Sequence, residues 1–217
     1  MSKKNLILAL SILTILNASF FRVAASGRAL TLMEQEYISK IQIINRDIEQ
    51  DMSLDMRHST GDVDYEFLTR LQTLQRIILT TAQAEERFGQ DAAIKKYANL
   101  IIEDKKHYLE KIEKLIPEIQ ETLTEDKVKE GKYSSSYDHV YKKLTKSARP
   151  IREVEEIIRE KGVDREFLGR IILQQEAMTE MLTLIHSHSS HEKVIDFVES
   201  IAVPHQKQLE ELYRLLE

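Results

Sequence analysis

Apolar residues recur along this chain at spacings of three and four, in runs long enough for extended helices. Leu30, Met33, Tyr37, Ile41, Ile44, Ile48 and Met52 fall on one face of a first helix, broken at His58 to Gly61. Phe67, Leu71, Leu74, Ile78 and Ala82 carry a second helix to Phe88. Gly89 then suits a C′ position and Asp91 an N-cap. Ile94, Tyr97, Ile101, Tyr108, Ile112 and Leu115 mark a third helix that ends before Pro117. Thr122 to Ser136 is polar, contains Gly131 and reads as a linker. Tyr137, Val140, Tyr141 and Leu144 begin a further helix that Pro150 must kink or restart, and Ile151, Val154 and Ile158 continue it to Gly162. Two more helices are predicted near 165–187 and 190–216, with a capping box at Ser189-Ser190-His191-Glu192 between them.

The pattern repeats. Shifted by one hundred residues, the sequence aligns with itself without a gap. Val63-Asp64-Tyr65-Glu66-Phe67-Leu68-Thr69-Arg70 meets Val163-Asp164-Arg165-Glu166-Phe167-Leu168-Gly169-Arg170, with six of eight positions identical. The register holds through Gln75/Gln175, Ile101/Ile201, Leu109/Leu209, Glu110/Glu210 and Leu115/Leu215, giving eleven identities over positions 63 to 116. This is the signature of an internal duplication. The expected organisation is a first repeat over 26–121, a linker over 122–136 and a second repeat over 137–217. Each repeat is a helix followed by a helical hairpin. The four hairpin helices, roughly 35–40 Å long at 1.5 Å per residue, would bury their apolar stripes together as an all-α four-helix bundle.

Residues 1–25 stand apart. Lys3 and Lys4 precede the apolar run Leu6 to Leu16, and Val23-Ala24-Ala25 offers small side chains for cleavage, so the segment reads as a secretory signal peptide. Asn17, Ser19 and Arg22 interrupt the run well short of the ~20 apolar residues that a membrane span needs. A periplasmic or extracellular protein without a span after cleavage is expected. The whole sequence has a formal net charge of -5, and losing the leader removes three cations and no acid. That argues against nucleic acid as a partner. With no Cys in 217 residues there is no disulfide scaffold, thiolate metal site or Cys nucleophile. Six Gly and three Pro leave little room for the turns of an all-β fold.

Thr60-Gly61-Asp62-Val63-Asp64-Tyr65-Glu66-Phe67-Leu68 and Val163-Asp164-Arg165-Glu166-Phe167-Leu168-Gly169-Arg170-Ile171-Ile172 resemble the ferritin-like domain-of-unknown-function family 305. The resemblance covers most of 30–116 and 163–217 and implies an exported helical bundle, in some members associated with copper or silver. It also implies a paired histidine, then an alanine and a methionine on one hairpin helix, and an isoleucine pair, a glutamine and a glutamate on the other. Here the histidine pair falls on Leu74 and Gln75 in copy one, and on Gln174 and Gln175 in copy two. The methionine position is Thr81 or Met181, the glutamine position Lys105 or His205, and the glutamate position Tyr108 or Gln208. Copy one therefore reads as inert.

Copy two keeps candidate ligands. Counting from a turn near Ser189 places Gln174, Gln175 and His205 in one layer, with Met178 and Met181 one to two turns nearer the turn. Imidazole, thioether and amide oxygen together suit a soft monovalent ion such as Cu(I); the same residues also suit a hydrogen-bonded polar layer with no metal. At the turn itself, His186, His188 and His191 form a tract able to capture Cu(II), Zn(II) or Ni(II), or simply to favour a helix C-terminus. Met52, Met56 and His58 make a third candidate, against which Met52 continues the apolar stripe. The Glu/Lys pairs over Lys105 to Lys114 read as solvated helix faces. A di-iron bundle needs Glu-x-x-His on two helices, and the nearest match, Asp104 to His107, occurs once. The expectation is a non-enzymatic envelope protein that binds or sequesters copper-like ions; the alternative is a scaffold that binds a protein partner and no metal.

Overall fold

The computed structural model describes residues 28–55, 60–124 and 126–217. Among them the chain forms seven helices and no strand: α1 Leu32–Asp55, α2 Val63–Phe88, α3 Ala92–Gln120, α4 Lys127–Ser147, α5 Ile151–Lys161, α6 Val163–His188 and α7 Glu192–Leu216. None is long and apolar enough to cross a membrane. The leader, Met56 and His58 lie outside the described residues, so the candidate grouping of Met52 with Met56 and His58 does too.

Hairpins α2–α3 and α6–α7 pack face to face, α2 on α6 and α3 on α7, as a four-helix bundle. The leading helices lie against it: α1 on α2, α4 and α5 on α6. Phe67, Leu68, Leu71 and Ile78 of α2 meet Phe167, Leu168, Ile171 and Ile185 of α6 in one core, all fully buried. The predicted stripe of α1 is buried from Tyr37 to Ile48, but Met33 is half exposed. Glu34 turns in instead. Thr31 and Glu34 form a capping box, with the Thr31 N–H donating to the Glu34 carboxylate at 2.8 Å and the Glu34 N–H to Thr31 Oγ1 at 3.2 Å. Arg28 adds a 2.6 Å ion pair to the same carboxylate. The Glu34 carboxyl is held down at about 2, chiefly by that hydrogen bond from Arg28.

Three boundaries differ from expectation. Pro117 lies inside α3, which runs on to Gln120. The stretch expected as a linker is mostly helix: Asp126 caps α4 by accepting from the N–H groups of Val128 and Lys129, and Gly131 sits within it. Tyr133 explains why, since its ring is fully buried and ordering it rewards helix over a weakly helical sequence. The third difference is at α7, where the N-cap is His191 with no side-chain cap bond, so the predicted capping box does not form.

Gly89 ends α2 with an ordinary φ of -63°, so conformational freedom is not its reason. Space is the reason: a Cβ there would stand 2.1 Å from Glu85 Oε1 and 2.7 Å from the Glu85 carbonyl oxygen. Gly89→Ala is expected to lower unfolding free energy by about 1–3 kcal/mol, as overpacking does, read from the midpoint of urea denaturation. A midpoint unchanged from wild type would show that the turn simply yields.

Candidate functional site

The two similar segments, residues 63–70 and 163–170, tie the ends of the bundle together. Asp164, at the start of α6, accepts the N–H groups of Gln90 and Asp91 in the α2–α3 turn at 2.8 and 3.0 Å. Asp64, at the start of α2, accepts the N–H of Ser190 in the α6–α7 turn at 3.5 Å. The paired helices are therefore antiparallel, and each start fastens the other's end. Two residues further in, Glu166 forms a fully buried ion pair at 2.8 Å with Arg170 one turn later. Helix α1 completes it: Tyr37 donates to Glu166 Oε2 at 2.5 Å, and Asn45 Oδ1 accepts from Arg170 at 2.8 Å. Glu66 and Arg70 occupy the matching place, 3.7 Å apart, where Arg70 lies over the rings of Tyr137 and Tyr133 from α4. Each leading helix thus serves the opposite hairpin.

Between these ends lies a polar layer drawn from four helices. Gln75 comes from α2, Lys105 from α3, Gln174, Gln175 and Met178 from α6, and His205 and Gln208 from α7; each is buried. Counting from the hairpin turn does bring His205 to Gln175: His205 Nε2 is 3.0 Å from the Gln175 carbonyl oxygen and 2.9 Å from Thr179 Oγ1. A carbonyl only accepts, so Nε2 carries the proton and Nδ1 the lone pair. Burial first, and then the charge of Lys105, push the His205 pKa down to about 3, so the ring is neutral.

Lys105 corrects the reading of its segment as a solvated face. Its side chain is fully buried, with Nζ 3.3 Å from Gln208 Oε1, 3.9 Å from Met178 Sδ and 5.3 Å from the centre of the Tyr108 ring. Burial pushes its pKa down to about 7, against a smaller upward pull from Asp104. Asp104 itself accepts from the Gln208 amide, and Gln75 donates to Met178 Sδ at 3.4 Å. Gln175 donates to Gln208 Oε1 at 3.4 Å.

The profile of a family described as "Domain of unknown function (DUF305)" matches residues 48–216. The chain belongs to DUF305. No curated protein and no solved structure matches it.

The resemblance to DUF305 raised the question of a metal, and the donor set answers it poorly. Met178 is shared between Gln75 and Lys105, whose ammonium already stands among the candidate ligands. Met181 is fully buried as part of the apolar core, and both amide atoms of Gln174 are buried without a partner. The turn histidines do not converge. His188 Nδ1 meets the Leu184 carbonyl at 2.9 Å while its ring packs edge-on to Tyr133. His191 sits at the N-cap position of α7 without a side-chain cap bond, and His186 lines a cleft of about 450 Å³ between α6 and α7 together with Thr179, Leu182, Val198, Ala202 and His205. Among the described residues no three His, Asp or Glu side chains gather as a group able to hold a metal ion.

One further charge was missed in the sequence. Glu85, fully buried at the end of α2, has its pKa raised to about 9, by burial first and then by the neighbouring Asp164. It is carried as a neutral acid beside that aspartate. No local signal marks it, because the aspartate arrives from a helix some eighty residues away.

Proposed function

We propose that this DUF305 chain is an exported, non-enzymatic helical bundle of the cell envelope that serves as a structural or partner-binding scaffold. In this reading it is built from two tandem copies of one unit whose paired histidines have been replaced. The observation that carries it is the Lys105 ammonium among Met178, Gln208 and the Tyr108 ring. A second cation brought about 4 Å from it would meet a repulsion of about 4 kcal/mol at an effective dielectric near 20. The carboxylates of the duplicated motif, Glu66 and Glu166, are committed to Arg70 and Arg170, which supports a role in holding the fold rather than in catalysis. Lys3, Lys4, the run Leu6 to Leu16 and Val23-Ala24-Ala25 support export.

Binding of a copper-like ion is the second reading. It is favoured by His205 Nδ1 and the side-chain oxygens of Gln75, Gln174 and Gln175, which are buried lone-pair donors with no partner. Calorimetric titration of residues 26–217 with Cu(I), Cu(II) and Zn(II) separates the two. The scaffold reading expects no tight one-to-one binding. Tight Cu(I) binding abolished by His205→Ala would replace it with the metal reading. Weak Cu(II) or Zn(II) binding, lost only when His186, His188 and His191 are all changed to Ala, would make the turn an incidental chelator and leave the scaffold reading in place.

A further inference from the structure

Among the buried atoms of the polar layer that lack a partner, acceptors outnumber donors, the one donor being Gln174 Nε2. Gln75 Oε1, Gln174 Oε1, Gln175 Oε1 and His205 Nδ1 are all buried and without a hydrogen-bond partner. Met178 adds a thioether, a weak acceptor. Neutral lone-pair donors, brought from separate helices toward one unit of positive charge, are how a protein houses a monovalent cation in a low-dielectric interior. Here that charge is covalently attached. The Lys105 Nζ stands within 3.3 Å of Gln208 Oε1 and 3.9 Å of Met178 Sδ, with the face of Tyr108 beside it. Gln75 and Gln175 direct their amide N–H groups to those same two atoms, Met178 Sδ and Gln208 Oε1, so their oxygens are left over.

We propose that the bundle core is a soft monovalent-cation site that the chain fills with its own ammonium, Lys105 acting as a tethered ion that keeps Ag(I) or Cu(I) out. This rests on the scaffold reading and deepens it: the cation of the layer is part of the polypeptide. The side chain supplies the single charge without the entropy cost of capturing an ion, and the folded state becomes indifferent to metal supply. Met178, whose sulfur faces Nζ, is the residue that an incoming soft ion would use first.

The test uses the mature chain with His186, His188 and His191 changed to Ala, so that the turn contributes nothing. Ag(I) is the probe, in chloride-free buffer at pH 6, read by calorimetry and by thermal unfolding. This parent is expected to take up no stoichiometric Ag(I). Lys105→Met and Lys105→Gln on the same background are expected to bind one Ag(I) per chain at least 100-fold more tightly than the parent. Their unfolding temperature should rise with added Ag(I). Adding Met178→Leu should abolish the gain. Variants that unfold cooperatively yet bind Ag(I) no better than the parent would overturn the tethered ion while leaving the scaffold reading intact. A gain that survives Met178→Leu would also overturn it, by placing the ion elsewhere. Tight binding by the parent itself, lost on His205→Ala, would remove both proposals together.

Discussion

Glu166→Ala is expected to destabilise the bundle by about 3–5 kcal/mol, the cost of leaving a buried charge without its partner. Arg170 is fully buried and takes its principal ion pair from Glu166, with Asn45 and the Ser147 carbonyl as its remaining acceptors. Removing the carboxylate also strands the Tyr37 hydroxyl and one end of Arg149, which lies 3.3 Å from Glu166 Oε1. Three side chains, from α1, the α4–α5 connection and α6, would lose one common acceptor. Equilibrium unfolding in urea measures the effect, and a loss under about 1 kcal/mol would show that water or a rearranged side chain replaces the carboxylate at little cost. Glu166→Gln, which keeps an acceptor oxygen in place, should fall between wild type and the alanine variant.

Lys105→Met should act in the opposite direction. The depressed pKa means that its neighbours do not repay the desolvation of the ammonium, and replacing a buried charge by an apolar side chain of similar size commonly gains about 1–4 kcal/mol. The sign of the pH dependence follows from the same shift. Between the folded pKa of about 7 and the ordinary lysine value of 10.5, the unfolded chain binds more protons at this site than the folded one. The contribution of Lys105 to stability is therefore most unfavourable below pH 7 and recovers as pH rises through that window. Wild type and Lys105→Met should differ most near pH 6 and converge toward pH 10. A difference that stays constant across this range would show that the amine does not titrate inside the fold.

Much of the fold was legible because it depends on local signals. The apolar spacing located the helices, and the expected cap at Asp91 lies one residue ahead of α3. The alignment of His205 with Gln175 followed from helix rise alone. What escaped depends on partners remote in sequence. Ser134 to Ser136 and Gly131 look like a linker until Tyr133 is seen buried beneath α2. Asp104-Lys105-Lys106 looks like solvent-facing charge, and only the meeting of α3 with α6 and α7 decides that its middle residue is interior. The charges of the two similar segments were visible as a match at a shift of one hundred residues, but their purpose was not. Glu66 and Glu166 are tied to arginines one turn later in the same helix.

The crossing of the leading helices has a consequence for how the chain comes together. Tyr37 waits for Glu166, 129 residues later, and Asp64 for the amide of Ser190, 126 residues later. Loops of that length close slowly compared with the formation of any one helix. A chain synthesised or threaded from its N-terminus cannot seal its interior until α6 has arrived and the turn after it has formed. Until then the first hairpin exposes the apolar face that later meets α6. Premature closure is thus denied by topology, and the interval before the last quarter emerges is when a nascent chain needs shielding from its neighbours.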